Sequence, residues 1–262
     1  MTQTPTVDPA FLALANTLAD AAGRVIRQYF RTAVAIDDKA DESPVTVADR
    51  EAERVMREQV AAAFPDHGII GEEHGAHRPD ADWVWVFDPI DGTKAFITGK
   101  PSFGTLICLM YRGTPVLGVI DQPIIKERWI GAVGHGASYN GSPIRTRSCL
   151  TVGTAAMYST DPTMFVGPDQ VCYDRLSKAV KLRRFGADCY AYGLLSSGFI
   201  DLVCEADLKL YDFAAVVPII TEAGGVITDW QGKPPGPQSD GRILAAGDAA
   251  CHAQALAVLG AA

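Results

Sequence analysis

The stretch Trp83-Val84-Trp85-Val86-Phe87-Asp88-Pro89-Ile90-Asp91-Gly92-Thr93 decides how this chain folds. An apolar, aromatic run typical of a buried strand ends in two carboxylates that lie three residues apart. Pro89 fixes its own φ and restricts Asp88, so both carboxylates and the Ile90 carbonyl can converge on a cation. Gly92 permits close backbone approach, and N–H groups at a helix start attract phosphate. The pattern predicts a metal-dependent phosphatase.

Length and composition limit the remaining possibilities. The chain has 262 residues, of which 48% are hydrophobic, enough for one large domain or two closely packed halves. A net charge of -8 argues against a broad nucleic-acid-binding face. Neither a signal-peptide pattern nor a run of about 18 apolar residues is present. We therefore expect a cytoplasmic protein with no nucleic-acid and no membrane partner.

Six cysteines are spread along the chain without any CxxC pair: Cys108, Cys149, Cys172, Cys189, Cys204 and Cys251. Most have apolar neighbours in the sequence. We expect free, buried thiols in a reducing cytoplasm, and a zinc site is the alternative.

Two amphipathic helices are predicted near the N-terminus. The first covers Ala10–Arg31 and has a proline in its first turn. The second starts at Thr46, which can cap it, and Asp49 is the acidic partner three residues on. Glu53 and Arg57 are spaced as a helical ion pair, and we expect that pair to be solvated.

A succession of strands follows and predicts an antiparallel sheet. The predicted strands are Ile69-Ile70, Trp83–Phe87, Phe103–Tyr111, Pro115–Asp121 and Lys126–Ala132. The glycine-rich segment Gly134–Gly141 is predicted to be a turn, and a boundary between two halves is placed near residue 147.

The second half alternates between helices and strands, which predicts an α/β layer. The predicted helices are Asp169–Val180, Asp188–Ser197, Tyr211–Ala223 and a final C-terminal helix. The predicted strands are Leu182–Phe185, Ile200–Glu205, Val226–Thr228 and Ile243–Ala246.

Three further acidic residues are candidates for the same site. Glu72 ends an apolar strand, Asp49 opens a helix, and Asp212 opens another. Each has an ordinary structural interpretation: a surface turn for Glu72, a helix cap for Asp49, and a favourable helix N-terminus for Asp212. Together with Asp88 and Asp91 they form a set of carboxylates that suits hard cations such as Mg²⁺.

The chain resembles the inositol monophosphatase family of Mg²⁺-dependent, lithium-sensitive phosphatases from Lys39 to its last helix. The resemblance rests on motifs in chain order: Ser43–Asp49, Ile70–Glu73, Asp88–Thr93, Tyr211–Ala215 and Glu222–Gly225. It implies an α+β fold built as a layered α/β/α/β/α sandwich, as in sugar phosphatases. It also implies a homodimer.

The resemblance implies a role for each residue of the site. Glu72, Asp88 and the Ile90 carbonyl would hold one Mg²⁺, and Asp88, Asp91 and Asp212 a second. A third, weaker ion would lie at Glu72 near Asp49, which gives two to three Mg²⁺ per subunit. Gly92 and Thr93 would bind phosphate through backbone N–H groups. The Thr93 hydroxyl, polarised through Asp49, would help to activate water, so Asp49, Glu72 and Thr93 are the catalytic candidates.

On this interpretation the two halves divide the work. Residues 1–147 form an α+β half that carries most of the metal ligands. Residues 148–262 form an α/β half that carries the substrate-recognition residues and the last ligand, Asp212.

The expected chemistry is hydrolysis of a small phosphate ester. Two cations can stabilise both the attacking and the leaving oxygen of an in-line displacement. No Ser/His/Asp arrangement for nucleophilic catalysis is evident. His74 and His77 beside Glu73 are an alternative metal pair, and a metal-binding scaffold with a residual site is the non-enzymatic alternative.

The substrate is indicated elsewhere in the chain. Lys94 and Tyr211 depart from the residues common in inositol phosphatases. The stretches Phe185–Gly193, Leu202–Ala206 and Leu210–Phe213 resemble the bacterial histidinol-phosphatases of the family. Inositol 1-phosphate and 3′-phosphoadenosine 5′-phosphate are the rival substrates.

Asp188 and Glu205 suit the ammonium and imidazole donors of histidinol phosphate. Asp188 has a second interpretation as a helix N-cap. Arg184 is a candidate for substrate contact or a solvated side chain. Tyr190 and Tyr192 are predicted to be packing residues.

Overall fold

The strand that begins at Trp83 is longer than its apolar run predicts. It continues to Asp91 in the computed structural model, which describes residues 6–32, 36–38 and 44–260. The predictions that concern Lys39 and Ser43 lie outside these residues.

The described residues form helices and strands in the following order. The α-helices are α1 (Pro9–Tyr29), α2 (Val47–Ala63), α3 (Thr93–Ile97), α4 (Pro168–Ala179), α5 (Tyr190–Ser196), α6 (Leu210–Phe213), α7 (Val216–Glu222) and α8 (Ala249–Gly260). The first strands are β1 (Ile36–Asp38), β2 (Pro44–Thr46), β3 (Gly68–Gly71), β4 (Gly75–His77), β5 (Trp83–Asp91), β6 (Gly104–Tyr111), β7 (Thr114–Gln122), β8 (Glu127–Ala132), β9 (Gly136–Tyr139) and β10 (Ser142–Pro143). The later strands are β11 (Ala156–Ser159), β12 (Leu182–Phe185), β13 (Leu202–Glu205), β14 (Val226–Asp229) and β15 (Ile243–Ala246).

Two large sheets are present. The first has eight strands in the order β10-β9-β8-β7-β6-β5-β3-β4, and the second has five in the order β12-β11-β13-β15-β14. The first sheet is antiparallel as predicted except that β3 runs parallel to β5. The predicted turn at Gly134–Gly141 was wrong, because β9 lies within it and pairs with β8.

The layers follow from where the apolar side chains point. Along β5, Trp85 and Phe87 face α1 and α2, whereas Val84 and Val86 face the helices between the two sheets. A strand buried on both faces is apolar throughout, which explains the unbroken run. A third core lies between the second sheet and α4 and α8. The predicted α/β/α/β/α sandwich is confirmed.

The helix boundaries have local causes. Asp8 caps α1 by accepting a hydrogen bond from the Ala10 N–H at 2.8 Å. The single helix predicted over Tyr211–Ala223 is wrong, because it is divided into α6 and α7. Pro218 has no N–H to donate to the Ala214 carbonyl, which favours the interruption before α7. None of the described helices has the length and apolar character needed to cross a membrane.

The middle helices tie the two sheets together. Helix α7 packs against β7 and β8 of the first sheet and against β14 of the second. The predicted boundary near residue 147 falls between β10 and β11, and the division of work between the two halves stays a prediction.

A glycine in β7 should be indispensable for this packing. A Cβ atom at Gly118 would collide with the Ala215 carbonyl and crowd Pro218. Because backbone cannot yield as a side chain does, Gly118→Ala should lower the free energy of unfolding by about 3 kcal/mol. Urea denaturation measures this change.

The control for that measurement is Gly153→Ala. A Cβ atom at Gly153 would meet nothing within 4 Å, so stability should stay within about 0.5 kcal/mol of wild type. Equal stability of the two variants would contradict the packing described here.

Candidate active site

An irregularity in β5 brings two carboxylates to the same side of the strand. Side chains of a regular strand alternate, so residues 88 and 91 would face opposite sides. The pairing of β5 with β6 shifts register between Asp88 and Asp91, as in a β-bulge. Within this segment the Asp88 carboxylate accepts a hydrogen bond from the Ile90 N–H at 3.1 Å, and the Pro89 carbonyl accepts one from Thr105 at 2.8 Å.

The parallel pairing of β3 and β5 places a third carboxylate beside them. Gly71 is the register partner of Phe87, so the residues that follow, Glu72 and Asp88, lie side by side where β3 ends. The Glu72 N–H donates to the Phe87 carbonyl at 3.2 Å.

Asp212 approaches from the layer between the sheets. It lies in α6, where its carboxylate accepts a hydrogen bond from the Lys209 N–H at 2.7 Å. Carboxylate oxygens of Asp88, Asp91 and Asp212 all lie within 4.8 Å of one another. The structure thus brings together the metal-ligand candidates predicted from the sequence.

Crowding raises the proton affinity of this cluster. Burial raises the pKa of Asp88 well above its ordinary value, and the charges of Glu72, Asp91 and Asp212 raise it further. Burial and the charges of Asp188 and Asp212 raise the pKa of Asp91 in the same way. Burial raises the pKa of Asp212 to about 7. Oxygen-only donors that repel one another until a cation neutralises them fit a hard divalent cation.

Asp49 lies at the edge of this cluster and is buried. One of its oxygens accepts hydrogen bonds from the Thr46 N–H at 2.9 Å and the Thr46 hydroxyl at 2.5 Å. Its other oxygen has no hydrogen-bond partner in the described part of the chain. Burial raises the pKa of Asp49 to about 6, and the charges of Glu73 and Glu72 contribute to the rise.

The predicted polarisation of the Thr93 hydroxyl through Asp49 stays a prediction, because the two side chains have other direct partners here. That hydroxyl donates to the Ile90 carbonyl at 3.2 Å, and the bonded oxygen of Asp49 is engaged by Thr46. Both side chains stay beside the cluster, but no hydrogen bond among the described residues joins them.

Asp188 packs directly on the phosphate-binding candidate Gly92. A Cβ atom at Gly92 would lie 2.7 Å from the Asp188 carboxyl carbon, and Gly92 has a positive φ of 86°. The Ser102 hydroxyl donates to the Asp188 carboxylate at 3.3 Å. The N-cap interpretation of Asp188 is wrong, because α5 begins at Tyr190 after Cys189.

Glu205 is buried at the end of β13 and held on both oxygens. One oxygen accepts from the Thr160 N–H at 2.9 Å and the Thr160 hydroxyl at 2.5 Å. The other accepts from the Tyr192 hydroxyl at 2.7 Å. Burial raises the pKa of Glu205, while these hydrogen bonds oppose the rise.

Many of these groups line one cavity of about 230 Å³. Its lining residues are Glu72, Asp91, Gly92, Thr93, Lys94, Thr160, Met164, Asp188, Cys189, Tyr192, Glu205, Leu208 and Asp212. Arg184 is absent from this lining and lies exposed on the edge strand β12, so its role in substrate contact stays a prediction. His74 and His77 are exposed, and the His74 ring bonds to the Arg50 carbonyl at 2.9 Å.

A larger cavity of about 770 Å³ lies between α1 and the β7–β8 hairpin. Its central cation, Arg128, is already paired with Asp121 and Asp20, each at 2.7 Å. Because both of its carboxylates are engaged by Arg128, we place the reactive site at the carboxylate cluster instead.

Several site contacts were not predicted from the sequence. The Cys189 N–H donates to Asp91 at 2.6 Å, and Thr160, Ser102 and Tyr192 hold the two candidate recognition carboxylates. Glu53 was predicted to be solvated but is completely buried. Its position four residues after Asp49, on the same helix face, is the signal that indicates proximity to the site.

Known proteins resemble the chain along nearly its whole length. The model of the inositol monophosphatase family matches residues 9–261. A chloroplastic bifunctional phosphatase of Arabidopsis thaliana, IMPL2, is 52% identical over 94% of this chain and 74% of its own. A histidinol-phosphatase of Chlorobaculum parvum is 37% identical over 85% and 86%. A solved inositol monophosphatase from Zymomonas mobilis is 47% identical, with a TM-score of 0.90 over 98% and 100%.

The raised pKa values predict how pH affects the metal-free protein. In the folded state Asp49 and Asp212 bind protons that the unfolded chain has already lost above about pH 4. The stability that these two groups contribute is therefore fully present below that pH and is lost as pH rises through about 6 to 7. Thermal unfolding in a chelator, compared between pH 5 and pH 8, measures the loss.

Added Mg²⁺ should reverse that loss. At about 100 times its Kd a ligand stabilises by about 2.7 kcal/mol, which is several degrees in Tm. The gain should be larger at pH 8 than at pH 5, and a potassium salt of equal ionic strength serves as the control. A gain that is equal at both pH values would contradict this account.

Proposed function

This chain belongs to the inositol monophosphatase family of phosphatases, and from that premise we propose that it hydrolyses L-histidinol phosphate to L-histidinol and phosphate. The observation that carries the proposal is the pair Asp188 and Glu205. Both line the cavity that Glu72, Asp91 and Asp212 also line. A substrate with a phosphate at one end and cationic donors at the other matches this arrangement.

We further propose that the cation is Mg²⁺. Glu72, Asp88 and the Ile90 carbonyl would hold one ion, Asp212 with Asp88 and Asp91 a second, and Asp49 with Glu72 a third. When bound, Mg²⁺ supplies neutralising charge to phosphate oxygens and lowers the pKa of water. The number of ions is part of the proposal.

The protein's own groups place the substrate. Gly92 and Thr93 offer backbone N–H groups to the phosphate at the cavity wall. Each of Asp49, Asp88, Asp91 and Asp212 uses one carboxylate oxygen to accept a hydrogen bond from a backbone N–H. The second oxygen of each can bind a cation or accept a proton. Groups fixed in this way orient the bound substrate, so that its phosphorus lies in line with the attacking oxygen.

The recognition end favours a cation over a neutral polyol. Three hydrogen bonds to Glu205, two from Thr160 and one from Tyr192, favour its ionised form. Burial raises the pKa of Asp188, and the Lys100 charge and the Ser102 hydroxyl oppose that rise. Two carboxylates held in this way suit an ammonium and an imidazole, each a hydrogen-bond donor.

Size argues against the nucleotide rival. Typical pockets for drug-sized ligands have about 300–1,000 Å³. The cavity of about 230 Å³ therefore favours a small monoester over 3′-phosphoadenosine 5′-phosphate. The name of the Chlorobaculum parvum relative supports histidinol phosphate, whereas the name of the Zymomonas mobilis structure supports inositol phosphate as the rival.

Two further parts of the proposal concern assembly and location. We propose a homodimer, on the family resemblance, and light scattering coupled to gel filtration tests it. We propose a cytoplasmic location because the six cysteines are free. Fractionation of cells tests the location.

A phosphate-release panel tests the substrate directly. With saturating Mg²⁺, kcat/KM for L-histidinol phosphate should exceed that for inositol 1-phosphate and for 3′-phosphoadenosine 5′-phosphate by at least about tenfold, or about 1.4 kcal/mol. Lithium inhibition is the family control, and Asp91→Asn is the inactive control. Faster turnover of either rival would overturn the assignment.

Neutralising the recognition carboxylates should act on the cationic substrate alone. A hydrogen bond to a charged group contributes about 1.5–3 kcal/mol, so Asp188→Asn or Glu205→Gln should lower kcat/KM for histidinol phosphate by about 10–150-fold. Steady-state kinetics measure this loss.

The matched control for these variants is a phosphate ester without a cationic group, such as glycerol phosphate. Its kcat/KM should change by less than about threefold, since the metal and phosphate groups are intact. An equal loss on both substrates would show that the two carboxylates do not recognise a cation.

A further inference from the structure

Glu53 is a buried carboxylate outside the lining of the cavity. It lies on α2, four residues after Asp49, and its side chain is 0% exposed. A charge withdrawn from water in this way is costly unless it is paired and hydrogen-bonded. The prediction of a solvated ion pair with Arg57 is therefore wrong, and the contacts of Glu53 must offset the cost of burying its charge.

The contacts of Glu53 hold the loop that carries Glu72. One oxygen accepts from the Glu73 N–H at 2.7 Å, and the other accepts from the His74 N–H at 3.1 Å. Arg57 closes the arrangement, because it donates to Glu53 at 2.9 Å and to the Gly75 carbonyl at 3.0 Å. Two side chains of one helix thus hold three consecutive residues, the last two of the loop and the first of β4.

The residue before Glu72 is fixed by the same carboxylate. A Cβ atom at Gly71 would occupy the space that the Glu53 carboxylate fills. Glu72 therefore lies between two residues that Glu53 fixes. Gly71 packs on the Glu53 carboxylate, and Glu73 donates its N–H to that carboxylate. Its own N–H donates to Phe87 of β5 at 3.2 Å.

We propose that Glu53 is a positioning residue that sets where Glu72 presents its carboxylate to the cation. This inference rests on the proposed metal-dependent function. Asp49 and Glu53 share one face of α2. The same helix therefore carries Asp49 and, through Glu53, orients Glu72. The clamp formed by Glu53 and Arg57 fixes the separation between α2 and the Glu72 loop.

The test compares Mg²⁺ binding by wild type and Glu53→Gln, measured by isothermal titration calorimetry without substrate. Loss of a partner behind a metal ligand costs about 10–100-fold in metal affinity, so the Kd of the variant should rise by that factor. Backbone hydrogen exchange at residues 73 and 74 should become faster in the metal-free variant. At saturating Mg²⁺, kcat should recover to within about threefold while the Mg²⁺ activation constant stays raised.

Glu58→Gln is the matched control. Glu58 forms the same i,i+4 ion pair on the same helix, with Arg54 at 2.6 Å, but both side chains are more than half exposed, at 62% and 52%. Its removal should leave the Mg²⁺ Kd and the exchange at residues 73 and 74 unchanged. Any loss of Mg²⁺ affinity equal to that of Glu53→Gln would show a general effect of charge on α2.

Two results would overturn the inference in distinguishable ways. Folded Glu53→Gln that binds Mg²⁺ with the wild-type Kd overturns the positioning role alone. Wild-type protein that binds no Mg²⁺ overturns the proposed function and the inference with it. If Glu53→Gln does not fold, Arg57→Gln is the deciding variant. Its Kd for Mg²⁺ should rise, by a smaller factor than the one expected for Glu53→Gln. A Kd equal to that of wild type overturns the positioning role.

Discussion

The mutual repulsion of carboxylates in one small cavity is the constraint on which the rest of the structure depends. Asp88, Asp91 and Asp212 present oxygens within 4.8 Å of one another, and the charge of Glu72 acts on Asp88 as well. Such a cluster opposes folding unless protons or a cation neutralise it. Three apolar cores must outweigh this opposition: one between α1 and α2 and the larger sheet, one around the helices between the two sheets, and one behind the smaller sheet.

A recurring local device makes the cluster tolerable. Each of four aspartates gives one oxygen to a backbone N–H close to or within the site: Asp49 to Thr46, Asp88 to Ile90, Asp91 to Cys189 and Asp212 to Lys209. The bond fixes the carboxylate's direction and partly satisfies its charge. The other oxygen can still bind a cation or accept a hydrogen bond from the substrate. The contributions come from an outer helix, a sheet edge and the middle helical layer, so the layered fold is what assembles them.

Local chemistry explains which features could be predicted from the sequence. The caps of α1 and α2, the strand at Trp83 and the set of acidic candidates all follow from neighbouring residues. The bulge in β5 could not be predicted, because Asp88-Pro89 is also typical of a strand end. The burial of Glu53 depends on a loop 20 residues away, and the contact of Asp188 with Gly92 joins segments 96 residues apart in the sequence. Partners so distant are fixed by tertiary packing alone.

The close packing of Asp188 on Gly92 has a consequence for how this enzyme can diversify. Gly92, which we propose contacts phosphate, and Asp188, which we propose contacts the remainder of the substrate, occupy adjoining space, with only 2.7 Å between a hypothetical Cβ atom at Gly92 and the Asp188 carboxyl carbon. Evolution at position 188 is then limited to side chains that fit against a bare backbone, and any side chain gained at position 92 displaces its neighbour. Changes in substrate preference are reached more readily through Met164 and Leu208, which line the same cavity. The contact between Asp188 and Gly92 therefore restricts substitution at these two positions, whereas Met164 and Leu208 tolerate more change.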